Sequence, residues 1–401
     1  MWPKSKSTKE GNDDSINDSI TRPKSSAIDS TCNRVGILWE QVRLVTFNWY
    51  TITMSTGGIA VTLALTPHRF HGLDTIGKVF FIMDLVFFLS ITICLCLRFA
   101  TKRHALRQAF YDQTEGYFIG CSMLSVANII VCINSYGVPS CGEWLLVALR
   151  IIFFIYTGVS LLMAFFLNLG HYNLRHGMTD AVPIVRVLPF FPAMLAGTIA
   201  TGLGEHQPLK YTIDITITGI TVQGLGFLAS LIVMGEYFYY LSRHGLPPPK
   251  IRPQMFIAVG PWGFTIVALI GCAADAATKF PAHYIQSAKT VDTGDVAVVI
   301  AVFVGMFLWL MAFFHCGLAI LGMLSIYRTW QFSIVWWSCI FPNVGFGLAT
   351  ARLGTELGSP GILWVASAMN IIVVAAWFIL AGFTIWHMYT RRLLWPAEKQ
   401  Q

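Results

Sequence analysis

Hydroxyl-bearing residues and glycines are concentrated in one uncharged stretch near the start of the chain, NWYTITMSTGGIAVTLAL at residues 48–65. Its length and lack of charge are typical of a membrane helix. At about 100° per residue, Thr51, Ser55, Gly58 and Thr62 fall on one helical face. Such a face either lines a wet path for a small polar solute or hydrogen-bonds to its own backbone inside a bundle.

A second face of the same stretch carries Thr53, Gly57 and Ala60. Small residues at this spacing are typical of membrane helices whose backbones pack closely together. We therefore expect this helix to pack against other helices on one side and to face a polar path on the other.

An aromatic and basic face occurs near the end of the chain, in and after VWWSCIFPNVGFGLAT at residues 335–350. Phe341, Gly345 and Arg352 share one helical face, and Arg352 lies roughly 16 Å beyond Phe341. Arg69 follows the end of the hydroxyl-bearing helix. A basic mouth over an uncharged polar path favours anions. The alternative for each arginine is a side chain that snorkels to the membrane interface.

Two charged residues, Asp84 and Arg150, interrupt apolar segments. Charges inside a membrane need partners, and these two lie at matched depth from the same side. We therefore predict a structural ion pair between them, with separate contacts to water or backbone as the alternative.

Motifs for catalysis, metals and nucleotides are lacking in the sequence. The cysteines and histidines do not have the spacing of metal ligands, the pair Gly224 and Gly226 follows no predicted strand, and there is no phosphate-binding loop. The net charge of +7 comes from loops and tails rather than from a basic-aromatic patch. We therefore predict no catalytic residues, metal, cofactor or nucleic-acid partner, and movement that is passive or coupled to an ion gradient.

The composition predicts an all-α integral membrane protein. The 401 residues are 55% hydrophobic and 12% charged, whereas soluble domains are about 25% charged. Ten segments reach the length of a membrane span. They lie at residues 46–65, 75–99, 115–136, 142–166, 183–203, 211–241, 251–274, 293–323, 331–352 and 360–388. Short connections predict five helical hairpins in one transport domain at 45–390, with a disordered tail at 1–44 and a short tail at 391–401.

Proline and glycine distinguish the odd-numbered helices from the even-numbered ones. Pro192, Pro261 and Pro342 interrupt helices five, seven and nine, and Gly345 follows in helix nine. Breaks in membrane helices belong inside protein or beside a water-filled cavity. We therefore predict an inner ring of odd helices around a central pore, lined in part by Pro192, Pro261 and Gly345, and an outer wall of even helices.

The distribution of basic residues predicts orientation. Most of the 27 Lys and Arg residues lie in the two tails and in the loops from even to odd helices. By the positive-inside rule both termini are expected in the cytoplasm.

Four stretches resemble one known family. They are FNWYTITMSTGGIA (47–60), PHRFHGLDTIGKVFF (67–81), VLPFFPAMLAGTIA (187–200) and VWWSCIFPNVGFGLAT (335–350). They are similar to the tellurite-resistance/dicarboxylate transporter family, which includes slow anion channels and fungal sulfite efflux pumps. The resemblance covers about residues 45–390 and is strongest to the fungal malic acid transport proteins.

The resemblance implies five helical hairpins around a central pore, often in a homotrimer, and residence in the plasma membrane. In channel members of the family a phenylalanine on helix nine closes the pore, and the matching residue is Phe341. The expected function is transport of C4-dicarboxylates such as malate, succinate or fumarate, with protons as possible co-transported ions. Efflux of sulfite or another inorganic anion is the alternative on the same fold. An integral-membrane enzyme is a remote alternative, because no cluster of His, Asp or Glu lies at one membrane face.

Overall fold

A computed structural model describes residues 39–112, 115–173, 182–285 and 290–393. All regular secondary structure in these ranges is helical, which confirms the all-α prediction. Most of the predicted tails, 1–38 of the first and 394–401 of the second, lies outside the described residues.

In the described ranges, ten helices of 14 residues or more follow one another, each close to a predicted segment. They are α1 Tyr50–Leu65, α2 Leu73–Thr101, α3 Glu115–Cys132, α4 Glu143–Asn173, α5 Phe191–Gly204, α6 Leu209–His244, α7 Gly260–Lys279, α8 Thr293–Leu324, α9 Ile340–Glu356 and α10 Pro360–Tyr389. A short helix, Ala105–Tyr111, lies between α2 and α3. Eight of the ten, with the short turns that adjoin them, are long and apolar enough to cross a membrane, and α1 and α5 are shorter. The chain is therefore a multi-pass helical membrane protein.

The odd-numbered helices form a closed ring. Each contacts the next odd helix along the chain, and α9 contacts α1. The spanning windows of α3, α7 and α9 are 72%, 94% and 72% buried, whereas those of the even helices are 22% to 39% buried. Almost all of α1 and α5 is buried as well. The prediction of an inner ring and an outer wall is confirmed.

Neighbouring helices of the ring run parallel. The second small face of α1 packs against α3, where Thr53 hydrogen-bonds Ser125 and, further along both helices, the Tyr136 hydroxyl donates to the Ala60 carbonyl at 2.7 Å. α5 and α7 also run in the same direction, because their C-terminal ends meet where Gly204 lies against Asp275. The odd helices therefore begin on one side of the ring and end on the other.

Four inner helices begin after a 3₁₀ segment, and Phe47–Trp49 directly precedes α1. Pro183–Val187 precedes α5, Arg252–Val259 precedes α7, and Ile334–Cys339 precedes α9. Pro192 and Pro261 are the second residues of α5 and α7, where the missing N–H would have had no partner within the helix. The expectation that prolines interrupt helices five, seven and nine is therefore wrong at these two prolines, because each lies in the first turn of its helix. It is also wrong at Pro342, which is the third residue of α9.

A buried ion pair that the sequence did not indicate fixes the start of the ring. Arg98 at the end of α2 contacts both carboxylate oxygens of Glu115, at 2.5 and 2.9 Å. Glu115 also accepts from the Phe47 backbone N–H at 3.1 Å, and Arg98 donates to the Val45 carbonyl at 3.0 Å. The pair thus joins α2, α3 and the residues that lead into α1.

Candidate functional site

The polar face of α1 meets α9, but its four residues differ in their contacts. The Thr51 hydroxyl donates to the Asn48 carbonyl of its own chain segment at 2.7 Å, as in the bundle alternative. The Ser55 hydroxyl donates at 3.1 Å to the carbonyl of Trp337, just before α9. The buried Thr62 hydroxyl has no hydrogen-bond partner in the described ranges.

Gly58 lies directly against Phe341. A Cβ atom on Gly58 would lie 3.2 Å from Cδ2 of the Phe341 ring and 3.3 Å from Cγ2 of Val344. The missing side chain therefore makes room for the ring, and the structure brings these two predicted site residues together.

Phe341 belongs to an aromatic cluster with Phe264 of α7 and Phe191 of α5. Its ring stacks on that of Phe264 at 4.7 Å between centroids and is 6.3 Å from that of Phe191. Phe191 and Phe264 meet edge to face at 6.0 Å, a geometry that aromatic pairs prefer. All three rings are buried. Three helices of the ring therefore contribute one aromatic side chain each to the same level.

The sequence reasoning missed Phe191 and Phe264. One signal was present, because Phe191 precedes Pro192 as Phe341 precedes Pro342 in the two quoted stretches. The repeat places both phenylalanines at the start of an inner helix. No such signal marks Phe264, which follows Pro261 by three residues.

A small cavity lies beside the aromatic cluster, toward the starts of the odd helices. Segments of all five odd helices or their 3₁₀ lead-ins line it, among them Thr51, Cys121, Leu188, Ile257 and Ser338. Its volume is about 10 Å³, roughly what the centre of one water molecule needs. The centre of the ring is thus too narrow at this level for an organic anion.

The remaining predicted pore residues occupy packed positions. The ring of Phe264 fills the space beside Gly345, where a Cβ atom on the glycine would lie 2.7 Å from that ring. The Pro192 carbonyl accepts from the Tyr156 hydroxyl of α4 at 2.8 Å. Pro261 is buried in the first turn of α7. Pro192 therefore bonds to the outer wall, and Gly345 makes room for the aromatic cluster.

A second group of side chains, here called the distal layer, lies on the other side of Phe341, in or beyond the C-terminal halves of the odd helices. It comprises Thr62, Asn134, Thr198, Asp275 and Arg352. Asp275 and Arg352 each lie about three turns beyond the aromatic residue of the same helix. Oxygen atoms of the first four residues are buried without a hydrogen-bond partner among the described residues. Every odd helix, or the π-helical turn that continues α3, therefore carries at least one polar group in this half of the ring.

Arg69 has a different environment from Arg352. It forms an ion pair with Asp74 and donates to the carbonyls of Leu63 and Ala64 at the end of α1. Its guanidinium caps a helix whose terminal carbonyls lack intrahelical partners. The charge of Arg69 is thus balanced locally, whereas Arg352 forms no close ion pair with a described residue.

The predicted ion pair between Asp84 and Arg150 is not formed. The Arg150 guanidinium stacks over the Tyr211 ring, 3.5 Å from its centroid. Asp84 is fully buried against α1, where a Cβ on Gly57 would lie 2.6 Å from its Oδ2. Two residues at the same depth in the membrane can still lie on different sides of the helical ring. This is the case here, because α2 packs on α1, whereas α4 packs on α3, α5 and α6.

A family model described as voltage-dependent anion channel (SLAC1) matches residues 45–385, the whole helical ring and its wall. The chain belongs to the SLAC1 family. A malic acid transport protein and a putative malic acid transport protein of Schizosaccharomyces pombe are 30% and 28% identical to it over 90% of this chain, and the matches cover 83% and 84% of those proteins. The sulfite efflux pump SSU1 of Trichophyton rubrum is 25% identical over 86% of this chain and 91% of that protein.

Membership of the SLAC1 family confirms the resemblance that the quoted stretches indicated. The relatives are named as transport proteins rather than enzymes. This SLAC1-family chain is therefore an anion transporter of the membrane, and the ring of odd helices is where its polar and aromatic groups converge.

Proposed function

We propose that the protein transports C4-dicarboxylates, malate first, with succinate and fumarate as further candidates of the same class. The observation that carries this choice is the match of 90% of the chain to two proteins named for malic acid transport. The substrate would move along the axis of the odd-helix ring. Its carboxylates require at least one cation, and Arg352, on the helical face of α9 that carries Phe341, forms no close ion pair with a described residue.

In this proposal the ring of Phe341 is the gate. Its contacts with Phe264 and Gly58 support the assignment, because displacing one ring would open a level of the odd-helix ring that is too narrow for an organic anion. The polar face of α1 lines the path on both sides of the gate, with Thr51 and Ser55 before it and Thr62 beyond it. Arg352 attracts the anion, and Arg69 is not assigned this role because Asp74 balances its charge.

We further propose that both termini face the cytoplasm, that the protein resides in the plasma membrane, and that it assembles as a homotrimer. The basic residues of the tails and of the even-to-odd loops support the orientation. Protons are proposed as co-transported ions, since a carboxylic acid carries less charge across a membrane when a proton accompanies it.

Uptake of labelled malate into yeast that lacks its own carrier tests the proposal, with surface expression confirmed in parallel. Purified protein in liposomes, offered malate, succinate, sulfite and chloride in turn, then defines the substrate class. Malate flux above that of the empty vesicles is expected. Absence of malate uptake and release at every pH, with protein at the surface, would reject the dicarboxylate assignment.

Sulfite efflux is the second candidate, favoured by the 25% identity to the sulfite pump over 86% of this chain. Sulfite is smaller than malate and carries its charge on one group rather than on two separate carboxylates. Sulfite tolerance in cells that show no malate flux would select this function.

A further inference from the structure

A carboxylate lies at the level of the arginine that the proposed function assigns to anion attraction. Asp275 of α7 and Arg352 of α9 each lie about three turns beyond the stacked rings of Phe264 and Phe341. The two helices pack against each other, although these two side chains do not form a close ion pair. Their helices pack so tightly that a Cβ on Gly263 would lie 2.7 Å from the Gly345 backbone. An anion path with an acid beside its free cation is unexpected on charge alone, because the acid repels the anion.

The surroundings of Asp275 leave one of its oxygens unused. Asp275 is 8% exposed, and its Oδ2 atom is buried without a hydrogen-bond partner in the part of the chain that the structure describes. Gly204, at the end of α5, makes room for the group, since a Cβ there would lie 2.9 Å from the Asp275 Cγ. The Asp275 carboxyl group thus fits the space beside Gly204, and its Oδ2 atom can still accept a hydrogen bond.

Two other charged side chains lie near Asp275. One of them is already hydrogen-bonded to backbone carbonyls, and the other is negative and repels Asp275. Lys279 donates to the backbone carbonyls of Gly204, Glu205 and Gln207 at 2.8, 2.7 and 3.1 Å, which caps the end of α5. The Glu205 side chain adds a negative charge. The nearby ends of α6 and α8 carry Lys210, Asp214 and Asp295, and none of these forms a close ion pair with Asp275. Arg352 is therefore the cation whose charge is available either to Asp275 or to an incoming anion.

Polar groups on the other odd helices make the same region suitable for a carboxylic acid. Thr62, Asn134 and Thr198 each have a buried oxygen without a partner in the protein. Thr198 and Gly202 are the residues of α5 that keep partial exposure, on the helical face that also carries Phe191. Hydroxyl and amide groups there can bond to a second carboxyl or to a hydroxyl of the substrate.

We propose that Asp275 is an internal carboxylate that competes with the transported anion for Arg352, and that a proton on Asp275 releases Arg352 to bind a substrate carboxylate. The inference rests on the proposed function. In either state one negative charge lies opposite Arg352, first that of Asp275 and then that of the substrate. One proton thus enters the site for each carboxylate bound, which couples the anion to pH at a named residue.

The test compares Asp275→Asn with the unchanged protein in liposomes, by the KM of malate uptake at pH 5 and pH 7.5. The unchanged protein is expected to show a higher KM at pH 7.5, by about tenfold if Asp275 gains its charge over this range. Asp275→Asn is expected to keep the low KM at both pH values. Arg352→Gln should show the high KM at both. The control Asp214→Asn removes an exposed carboxylate on α6 and should behave like the unchanged protein.

A variant Asp275→Asn with the same pH dependence as the unchanged protein would overturn the proposal, while its malate uptake would leave the proposed function intact. If the protein carries no malate, the same comparison is made with sulfite and chloride, because the competition applies to any anion at Arg352. If Asp275→Asn does not fold, the double variant Asp275→Asn with Arg352→Gln removes both charges together. Retention of the pH dependence in the double variant would also reject the inference.

Discussion

The aromatic cluster and the distal layer are built on the same inner helices and differ in how their side chains are satisfied. In the cluster, every ring packs against another ring or fills the space beside a glycine, as Phe341 does at Gly58 and Phe264 at Gly345. In the distal layer, four residues keep buried oxygens without a partner in the protein, and Arg352 forms no close ion pair with a described residue.

The difference separates two tasks. A well-packed apolar layer closes a path and opens only when a side chain moves, because interiors tolerate neither gaps nor overlap. A layer of unpaired polar atoms is costly until a ligand or water bonds to them. The aromatic cluster, whose rings are closely packed, is thus suited to closing the path. The distal layer, which has polar atoms without partners, is suited to binding a ligand.

Replacing Phe341 by Ala is expected to give the largest change, an increase in anion flux. Removing the ring leaves Phe264 and Gly58 without their common contact and opens the narrowest level. A barrier lowered by about 1.4 kcal/mol gives roughly tenfold faster flux. Chloride or malate currents in liposomes measure the effect.

Phe153→Ala is the matched control for this comparison. Phe153 is as deeply buried as Phe341 but lies on α4 in the outer wall. Both variants should lose stability, by about 3–5 kcal/mol for a buried phenylalanine, and only Phe341→Ala should gain flux. Equal flux in the two variants would contradict the proposal that Phe341 in the aromatic cluster is the gate.

Gly58→Leu is expected to act in the opposite direction, with a loss of most of the flux. A Cβ at this position already comes within 3.2 Å of the Phe341 ring, so the larger side chain presses the ring into the path. Overpacking costs about 1–3 kcal/mol, which the fold can tolerate. The control is Gly224→Leu on α6, where a Cβ meets nothing within 4 Å. Full flux in folded Gly58→Leu protein would exclude Gly58 from the path.

Helix class, order and inner or outer position could be predicted from the sequence, because they follow from local composition. Long charge-free segments indicate spans, and proline with glycine marks the helices that avoid lipid. The site was predicted only where one helix carried the whole pattern, as on α1. Asp275 was overlooked because its significance depends on α9 and on Gly204 of α5. The expected pair of Asp84 and Arg150 failed because depth along a helix says nothing of direction around the ring.

Substitutions of two charged residues, Glu115 near the starts of the odd helices and Arg352 in the distal layer, are expected to differ in their effect on the free energy of unfolding. Glu115→Gln leaves Arg98 buried without its ion pair, where the side chains of the two partners are 9% and 12% exposed. Loss of one partner of such a pair costs about 3–5 kcal/mol. Arg352→Gln breaks no close pair and should change the free energy of unfolding by less than about 1 kcal/mol. Thermal unfolding in detergent measures both, and similar losses would mean that the distal layer is as tightly bonded as the starts of the helices.

The smallest expected effect compares two hydroxyls on one face of α1. Ser55→Ala removes the hydrogen bond to the Trp337 carbonyl and leaves a buried acceptor unsatisfied, which costs about 1–3 kcal/mol. Thr62→Val keeps the shape of the side chain and removes a hydroxyl that has no partner in the protein, so stability should stay the same or rise slightly. Flux should show the reverse order, with Thr62→Val raising the KM for malate and Ser55→Ala leaving it nearly unchanged. If Thr62→Val instead lowers the unfolding temperature and leaves KM untouched, its hydroxyl serves packing, and the distal layer does not extend to α1.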